Sequence, residues 1–181
     1  MSLIDFAELA VKTCRKLGAD EVEVFVQNQQ VVEVVLERAE IQNERFKTQS
    51  GIGIRVIKDK RLGFAFASKL SKESIEETCK TAVSLAKVSV PNPEWVSLPT
   101  KERLPKTPEG IYDPEIANIS GEKMLNLVIN AYDAAKGYDK RVDIDDGKFS
   151  AILNEIAVAN SNGVEAQEKT TRMEGYLVCV A

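Results

Sequence analysis

The sequence predicts an α+β fold, in which a mixed or antiparallel sheet is packed by about three helices. Apolar residues recur at helical spacing in three segments, and they alternate with polar residues in several others. All six prolines lie between Pro91 and Pro114, where they disfavour regular structure. We therefore expect two αβ units, about 1–88 and 120–181, joined by a Pro-rich connector over residues 89–119.

Each of the three predicted helices begins after a serine that can cap its first turn. Ser2 precedes a helix over residues 3–17, Ser71 precedes the second helix, and Ser120 precedes a third over residues 121–136. Each helix has one apolar stripe and is expected to bury that face. The stripes are Leu3, Phe6, Ala7, Ala10, Cys14 and Leu17, then Ile75, Cys79, Ala82, Val83 and Ala86, then Met124, Leu127, Val128, Ala131 and Ala135.

Strands are predicted where β-branched residues cluster or alternate with polar residues. They cover residues 21–26, 31–41, the hairpin 51–68, 140–144, a strand that includes 152–158, and 170–180. Asp146-Gly147 and Asn162-Gly163 are typical of tight turns between strands.

The stretch over residues 51–65 predicts a hairpin with a polar turn at residues 58–61. Ile52, Ile54 and Val56 alternate with their neighbours along its first strand. Its glycines could be taken for a phosphate cradle, but they do not open a helix, and close packing within a strand is favoured.

The connector has two interpretations, a flexible linker or an ordered segment that crosses a surface. We favour the ordered segment because a solvated linker rarely holds so many apolar side chains. These are Trp95, Val96, Leu98, Leu104, Ile111 and Tyr112.

The composition is that of an ordinary globular protein. The 181 residues are 44% hydrophobic and 29% charged, with a net charge of −4, which gives no reason to expect nucleic acid or an acidic membrane as a partner. No apolar run approaches the roughly 20 residues that span a bilayer, and no signal peptide is evident. Three widely spaced cysteines do not form a disulfide framework, so the cytoplasm is the expected location. There is no histidine, the commonest general base and metal ligand.

Two acidic groups could carry chemistry. Asp143, Asp145 and Asp146 suggest a calcium loop, but the fifth position is Gly147 and no bidentate glutamate follows at the twelfth. A solvated hairpin turn is favoured instead. The other group alternates with valines and is interpreted as a polar sheet face: Glu21, Glu23, Glu33 and Glu37.

A basic turn and the three cysteines are also given structural interpretations. Lys58, Lys60 and Arg61, with no stacking aromatics or wider basic face, fit an exposed turn better than a nucleic-acid contact. Inert core thiols are predicted for all three cysteines because they lie in apolar stripes or strands: Cys14, Cys79 and Cys179. No catalytic, cofactor-binding or metal-binding residue is therefore assigned.

Several short motifs follow one another in a specific order and spacing. They are Gly18–Val24, Ser50–Ile57, Leu62–Ala65, Leu70-Ser71 with the helix after it, Pro91–Pro99, Tyr112-Asp113, Arg141-Val142 and Ala159–Val164. In this order the chain resembles the TldD/PmbA family, whose older name is modulator of DNA gyrase. The resemblance covers essentially the whole chain and leans towards the PmbA branch, also called TldE.

The resemblance implies an N-terminal domain whose C-terminal domain is absent here, because members of the family are more than twice as long. The chain stops inside a predicted strand, which agrees with the expectation that it is the front part of a longer protein. In the TldD branch, a His-Glu-x-x-x-His motif of the C-terminal domain binds zinc and cleaves peptides. This chain has no such motif, so no catalytic residue is carried over, and zinc is expected in the absent domain.

Two functions follow from the resemblance. The first is a scaffold domain of a zinc metallopeptidase or of its non-catalytic paired subunit, which lines a substrate cleft for peptides. Such a domain is expected to form a homo- or hetero-oligomer with a TldD/PmbA-type subunit. The alternative is a stand-alone protein-binding regulatory module without catalytic activity. Whether the chain is part of an enzyme is left open by its residues.

Overall fold

A computed structural model of the chain describes residues 1–38, 40–102 and 107–181. The elements in chain order are α1 (Leu3–Lys16), β1 (Glu21–Glu37), β2 (Glu40–Lys58), β3 (Arg61–Ala67), α2 (Lys72–Val88), α3 (Pro114–Ala117), α4 (Gly121–Tyr138), β4 (Asp143–Asn160) and β5 (Glu165–Val180). None of the described helices has the length and apolar character needed to cross a bilayer.

The five strands form one antiparallel sheet with the order β3-β2-β1-β4-β5. The α+β prediction is therefore confirmed, and its mixed or antiparallel alternatives are resolved in favour of the antiparallel sheet. Neighbours along the chain are neighbours in the sheet within β1-β2-β3 and within β4-β5, as expected for hairpin connections.

The predicted helix starts are confirmed by their caps. The Ser2 hydroxyl accepts a hydrogen bond from the Asp5 amide, and the Asp5 carboxylate accepts one from the Ser2 amide at 2.7 Å, which completes a capping box. The hydroxyls of Ser71 and Ser120 accept from the amides of Ser74 and Lys123. Local caps of this kind are readable from sequence because both partners lie within one turn.

Two strand predictions are wrong in their boundaries. β1 runs unbroken over Glu21–Glu37 instead of forming two strands, and β4 runs unbroken over Asp143–Asn160 where a turn was predicted at Asp146-Gly147. A Cβ on Gly147 would lie 2.7 Å from Leu177 Cδ2. The glycine therefore admits a close neighbour on the sheet rather than a turn. The turn at Asn162-Gly163 is confirmed, with Gly163 at φ +88°.

The Cα positions divide the chain into two compact units. Unit 1 comprises residues 1–28, 49–107 and 155–168, and unit 2 comprises residues 29–48, 108–154 and 169–181. The four long strands each contribute to both units. For that reason the units take segments from both halves of the chain, whereas the predicted division at about 1–88 and 120–181 follows chain order.

The core of unit 1 lies where α1 and α2 pack against one face of its strands. The predicted stripe of α2 is buried there in full, but of the predicted α1 stripe only Ala7, Ala10 and Cys14 are buried. Leu3 and Phe6 are partly buried, and Leu17, at the end of α1, is 36% exposed. The buried set comprises Ala7, Ala10, Cys14, Ala19, Val22, Val24, Val26, Ile52, Ile54, Val56, Ala65, Ile75, Cys79, Ala82, Val83, Ala86 and Ala159. Small residues dominate the helix contribution, which allows the helix backbones to approach closely.

Unit 2 has a smaller core under α4. Met124 and Val128 of the predicted stripe are fully buried, and they pack with residues from the strands and from the segment before the helix. The buried set comprises Val34, Leu36, Ile119, Met124, Val128 and Ala151. Because Val34 and Leu36 face α4, the alternate residues of β1 face away from it.

The ordered interpretation of the connector is confirmed for its first part. The Asn92 amide donates to the Lys60 carbonyl at 2.8 Å, and the Lys60 ammonium donates to the Pro93 carbonyl at 2.9 Å. The Asn160 side chain, which is 6% exposed, donates to the Pro99 carbonyl at 2.8 Å. Leu98 is 2% exposed, so this segment adds to the core instead of moving freely in solvent.

Later in the connector the structure adds a helix that was not predicted. Helix α3 covers Pro114–Ala117, with Asp113 as its N-cap and Pro114 in its first turn. Asp followed by Pro is a typical start signal, but a four-residue helix has no periodicity to reveal it. Leu104, included among the apolar connector residues, lies outside the described residues.

The β2-β3 hairpin has the predicted turn, reduced to two central residues. Lys58 pairs with Arg61, and Asp59 and Lys60 have φ of +49° and +60°, the left-handed geometry of a two-residue hairpin turn. β3 then passes directly against α2. A Cβ on Gly63 would lie 2.1 Å from the Ala82 carbonyl oxygen and 2.5 Å from the Ala86 amide nitrogen. Gly63 is therefore required for close packing, as the sequence predicted for the glycines of this stretch.

Replacing Gly63 with alanine is expected to destabilise the protein by about 2–4 kcal/mol, because the clashing atoms belong to a helix backbone that cannot rotate away. Urea unfolding followed by circular dichroism measures the change. Gly53→Ala is the matched control, since its Cβ would lie 3.4 Å from the Phe64 ring, an ordinary contact. Equal unfolding midpoints for the two variants would contradict the proposed role of Gly63.

Candidate functional site

The acidic turn considered as a calcium loop is part of β4. Asp143 pairs with Lys136 at 3.1 Å, and Asp146 accepts a hydrogen bond from the Tyr176 hydroxyl at 3.2 Å. Within the described ranges, no group of three or more His, Cys, Asp or Glu side chains is placed to hold a metal ion.

Lys58 of the basic turn is paired with an acidic side chain from the segment between α1 and β1. The Lys58 ammonium lies 2.9 Å from Asp20 Oδ1, and the Asp20 carboxylate also accepts the Asp59 amide at 2.7 Å. These contacts, led by the hydrogen bond from Asp59, lower the pKa of Asp20. The charges of the turn are thus used to stabilise the β2-β3 hairpin.

The cysteine predictions are confirmed for two residues and wrong for the third. Cys14 and Cys79 are both fully buried, and the hydrogen bond with Cys79, together with burial, raises the pKa of the Cys14 thiol. Cys179 is exposed. It lies on β5, an edge strand of the sheet, where an apolar sequence does not guarantee that both faces are covered.

The alternating glutamates of β1 have more specific roles than a polar sheet face. Glu21 accepts hydrogen bonds from Trp95 Nε1 at 2.6 Å, from the Leu98 amide at 2.9 Å and from Asn162 Nδ2 at 3.2 Å. Burial, the largest single effect, raises the pKa of Glu21, but these hydrogen bonds together outweigh it and leave the pKa lowered. Glu21 therefore holds the connector against unit 1 as a carboxylate.

Glu33 is the centre of a second charged group, in unit 2. It is 5% exposed, and its carboxylate lies 2.8 Å from Lys148 Nζ, 3.1 Å from Lys47 Nζ and 3.9 Å from an Arg45 guanidinium nitrogen. We call these four residues the Glu33 cluster. The hydrogen bond from Lys148 is the main reason that the pKa of Glu33 is lowered, and Glu33 in turn raises the pKa of Lys148.

The Glu33 cluster is strongly cationic. Three cations surround one carboxylate, and their side chains remain 44% to 50% exposed while Glu33 is almost completely covered. Because the ammonium and guanidinium groups carry more donors than Glu33 can accept, this surface retains unused donors and positive charge. Such a surface is suited to bind an anionic or hydrogen-bond-accepting group.

A shallow depression adjoins Lys148. Its volume is about 400 Å³, and it is lined by Lys148, Ser150, Glu174, Gly175 and Tyr176. We call it the Lys148 depression. Ser150 is 2% exposed, and the negative charge of Asp146 is the main reason that the pKa of Tyr176 is raised. The depression therefore offers hydroxyl groups and an ammonium from two neighbouring strands.

Sequence reasoning did not find the Glu33 cluster. The alternating pattern groups Glu33 with the other acidic residues of β1, whereas its partners Lys47 and Lys148 lie 14 and 115 positions further along the chain. The only sign of the cluster in the sequence is an acidic residue between two valines, together with basic residues that alternate with other residues in later strands. That signal cannot identify the pairs until strand order and register are known.

Glu33→Gln is expected to destabilise the protein by about 1–3 kcal/mol at pH 7, because it leaves half-exposed cations without their anion. A lowered folded pKa means that this contribution is present above the unfolded value of about 4.3 and is lost as the pH falls through the folded value. Unfolding free energies at pH 7 and pH 3 measure both effects. Glu37→Gln, an exposed change on the same strand, is the control; equal losses for both variants would contradict the role of Glu33.

Glu21→Gln is expected to loosen the segment around Trp95 and shift tryptophan emission to longer wavelength, since the strongest acceptor of the indole N–H is weakened. Trp95 is the only tryptophan of the chain, so fluorescence reports on this contact alone. Glu94→Gln removes a charge beside Trp95 and is the control. An unchanged emission spectrum in Glu21→Gln would show that the hydrogen bond does not hold the connector.

Two family models match this chain. Residues 22–86 match the PmbA/TldA metallopeptidase domain 1, and residues 114–181 match the PmbA/TldA metallopeptidase central domain. Together they cover more than half of the chain, and the first match contains the β2-β3 hairpin.

Individual relatives agree with the family models. The chain is 28% identical over 163 residues to the protein named Metalloprotease PmbA of Escherichia coli O157:H7. The aligned region covers 87% of this chain and 36% of that protein. The crystal structure of TldE from Thermococcus kodakarensis superimposes with a TM-score of 0.88 and 26% identity, covering 96% of this chain and 39% of that one.

A third relative has the same fold. A Bacteroides thetaiotaomicron protein described as a "putative modulator of DNA gyrase" superimposes with a TM-score of 0.81 and 17% identity, covering 94% of this chain and 39% of that one. The chain thus spans less than two fifths of the length of these relatives. With two family models matched in order along its length, the chain belongs to the PmbA/TldD family of metallopeptidase-type proteins.

Proposed function

We propose that this chain is a scaffold and substrate-facing part of a PmbA/TldD-type metallopeptidase, or of its non-catalytic paired subunit, and that it takes part in proteolysis by binding peptides. The observation that carries the proposal is the ordered match to domain 1 and to the central domain of the family. The sequence contains no histidine, so the zinc ligands of the family's peptidase motif would come from another domain or subunit.

The Glu33 cluster supports a binding role. A peptide offers carbonyl oxygens, carboxylates and amide N–H groups, and the cluster with the adjoining Lys148 depression presents ammonium, hydroxyl and carboxylate groups within one unit. Groups held on strands have well-defined positions, which suits the recognition of a ligand. The assembly would contain a second TldD/PmbA-type subunit. The proposed location is the reducing cytoplasm, which fits the two buried free cysteines, Cys14 and Cys79.

The purified 181-residue chain is expected to retain no stoichiometric zinc and to cleave no peptide, because the proposal assigns the chemistry elsewhere. Zinc content after dialysis is measured by mass spectrometry, and cleavage by release of fluorescence from a quenched unstructured peptide with added Zn²⁺. A PmbA/TldD-type pair containing the peptidase motif is the positive control. Zinc-dependent cleavage by the isolated chain would overturn the proposal.

Co-expression tests the predicted partner. A tagged copy of the chain is expected to co-elute with a TldD-type subunit in size-exclusion chromatography. A regulatory module acting on a DNA-topology enzyme is the second candidate function, favoured only by the description of the Bacteroides thetaiotaomicron relative. Co-elution with purified DNA gyrase and not with a TldD-type subunit would favour that candidate.

A further inference from the structure

We infer that the Lys148 depression binds the carboxylate of a peptide, supplied either by an acidic side chain or by a free C-terminus. The inference rests on the proposed peptide-binding role and specifies the class of group that is bound. It depends on three features of the depression: a cation that can be shared, a serine hydroxyl, and a negative rim.

Lys148 can be shared because Glu33 has other partners. Lys148 Nζ lies 2.8 Å from Glu33, but Lys47 lies 3.1 Å from the same carboxylate and Arg45 lies within 3.9 Å. An ammonium has three donors, and the Lys148 side chain is 44% exposed. It can therefore donate to a ligand carboxylate while the charge of Glu33 remains compensated by Lys47 and Arg45.

Ser150 supplies a second donor at the same place. Its residue is 2% exposed, and it lines the depression beside Lys148. Throughout the described ranges, no hydrogen bond of its hydroxyl is found. A hydroxyl that lines the depression can donate to a ligand oxygen that reaches it. Lys148 and Ser150 lie two positions apart on β4 and so project to the same face of the sheet.

The rim selects a singly charged group over a doubly charged one. Glu174 lines the depression, and its carboxylate lies 3.2 Å from Arg172; Asp146 accepts the hydrogen bond of Tyr176. Both carboxylates repel a phosphate dianion more than a single carboxylate, and Glu174 can accept N–H groups that flank a peptide carboxylate. A volume of about 400 Å³ lies within the usual range for small-ligand sites.

An NMR titration of the ¹⁵N-labelled 181-residue chain tests the inference with three acetylated hexapeptides of glycine and alanine. The first has one central glutamate and an amidated end, the second has glutamine and an amidated end, and the third has glutamine and a free C-terminal carboxylate. Saturable shifts are expected at the amides of Lys148, Ser150 and residues 174–176, with affinity at least about five times higher for one of the two acidic peptides than for the neutral one.

Comparing the two acidic peptides identifies the source of the carboxylate, and tighter binding of either one supports the inference. Equal binding of all three peptides, absence of shifts at these amides, or tighter binding of inorganic phosphate than of either acidic peptide would overturn it. The affinity is also expected to fall as salt is raised from 20 to 500 mM, roughly in line with screening of exposed charges.

Variants separate the depression from the general positive charge of the chain. Ser150→Ala and Lys148→Gln are each expected to weaken binding of the acidic peptide by about 5–10-fold. Lys123→Gln removes an equal charge from an exposed position on α4, outside both the depression and the Glu33 cluster, and is expected to change affinity by less than about 2-fold. Ser150→Ala removes only a hydroxyl, so it keeps the test valid if Lys148→Gln fails to fold. Unchanged affinity in Ser150→Ala and in any folded Lys148→Gln would overturn the inference.

The outcomes for this site and for the proposed function can be told apart. The titration uses only the isolated chain, so failure to bind a carboxylate removes the site and leaves assembly with a TldD-type subunit intact. Conversely, failure to co-elute with that subunit would remove the proposed function, while carboxylate binding by the chain would still stand.

Discussion

The contact of Gly63 with the backbone of α2 is the constraint on which the packing of unit 1 depends. A side chain at this position would overlap the Ala82 carbonyl and the Ala86 amide. β3 can therefore pack this closely against α2 only if residue 63 is a glycine. This approach buries Ala82 and Ala86 completely and sets α2 at a fixed distance from the sheet. The position of the hairpin against α2 is thus set by a steric requirement and not by a polar interaction.

Two glutamates of β1 stabilise parts of the structure that lie outside the apolar cores. In unit 1, Glu21 draws the connector inward through Trp95 and Leu98, so an irregular segment with prolines becomes part of the packed structure. In unit 2, Glu33 lies on the face of β1 opposite Val34 and is covered by basic side chains from β2 and β4. Both carboxylates have a lowered pKa, which means that each stabilises the fold in its ionised form.

The features predicted from sequence are those whose partners lie nearby in the chain. The three serine caps, the buried stripes of α1 and α2, and the Asn162-Gly163 turn all depend on residues within about one helical turn. The errors occur where residues distant in the chain determine the local structure or the exposure of a side chain. Asp146-Gly147 has turn chemistry, but Gly147 lies inside a continuous β4 with Leu177 close beside it. Cys179 has apolar neighbours, but its strand is at the sheet edge.

The Glu33 cluster is the clearest example of a feature formed by residues that are distant in the chain, and it also bears on function. If Glu33 had a single cationic partner, diversion of that partner to a ligand would leave a buried charge unpaired, at a large cost. With Lys47, Arg45 and Lys148 converging on Glu33, one cation can turn to a ligand while the others remain. Redundant pairing therefore allows a structural ion cluster to serve as a binding surface, as the proposed peptide-binding role requires.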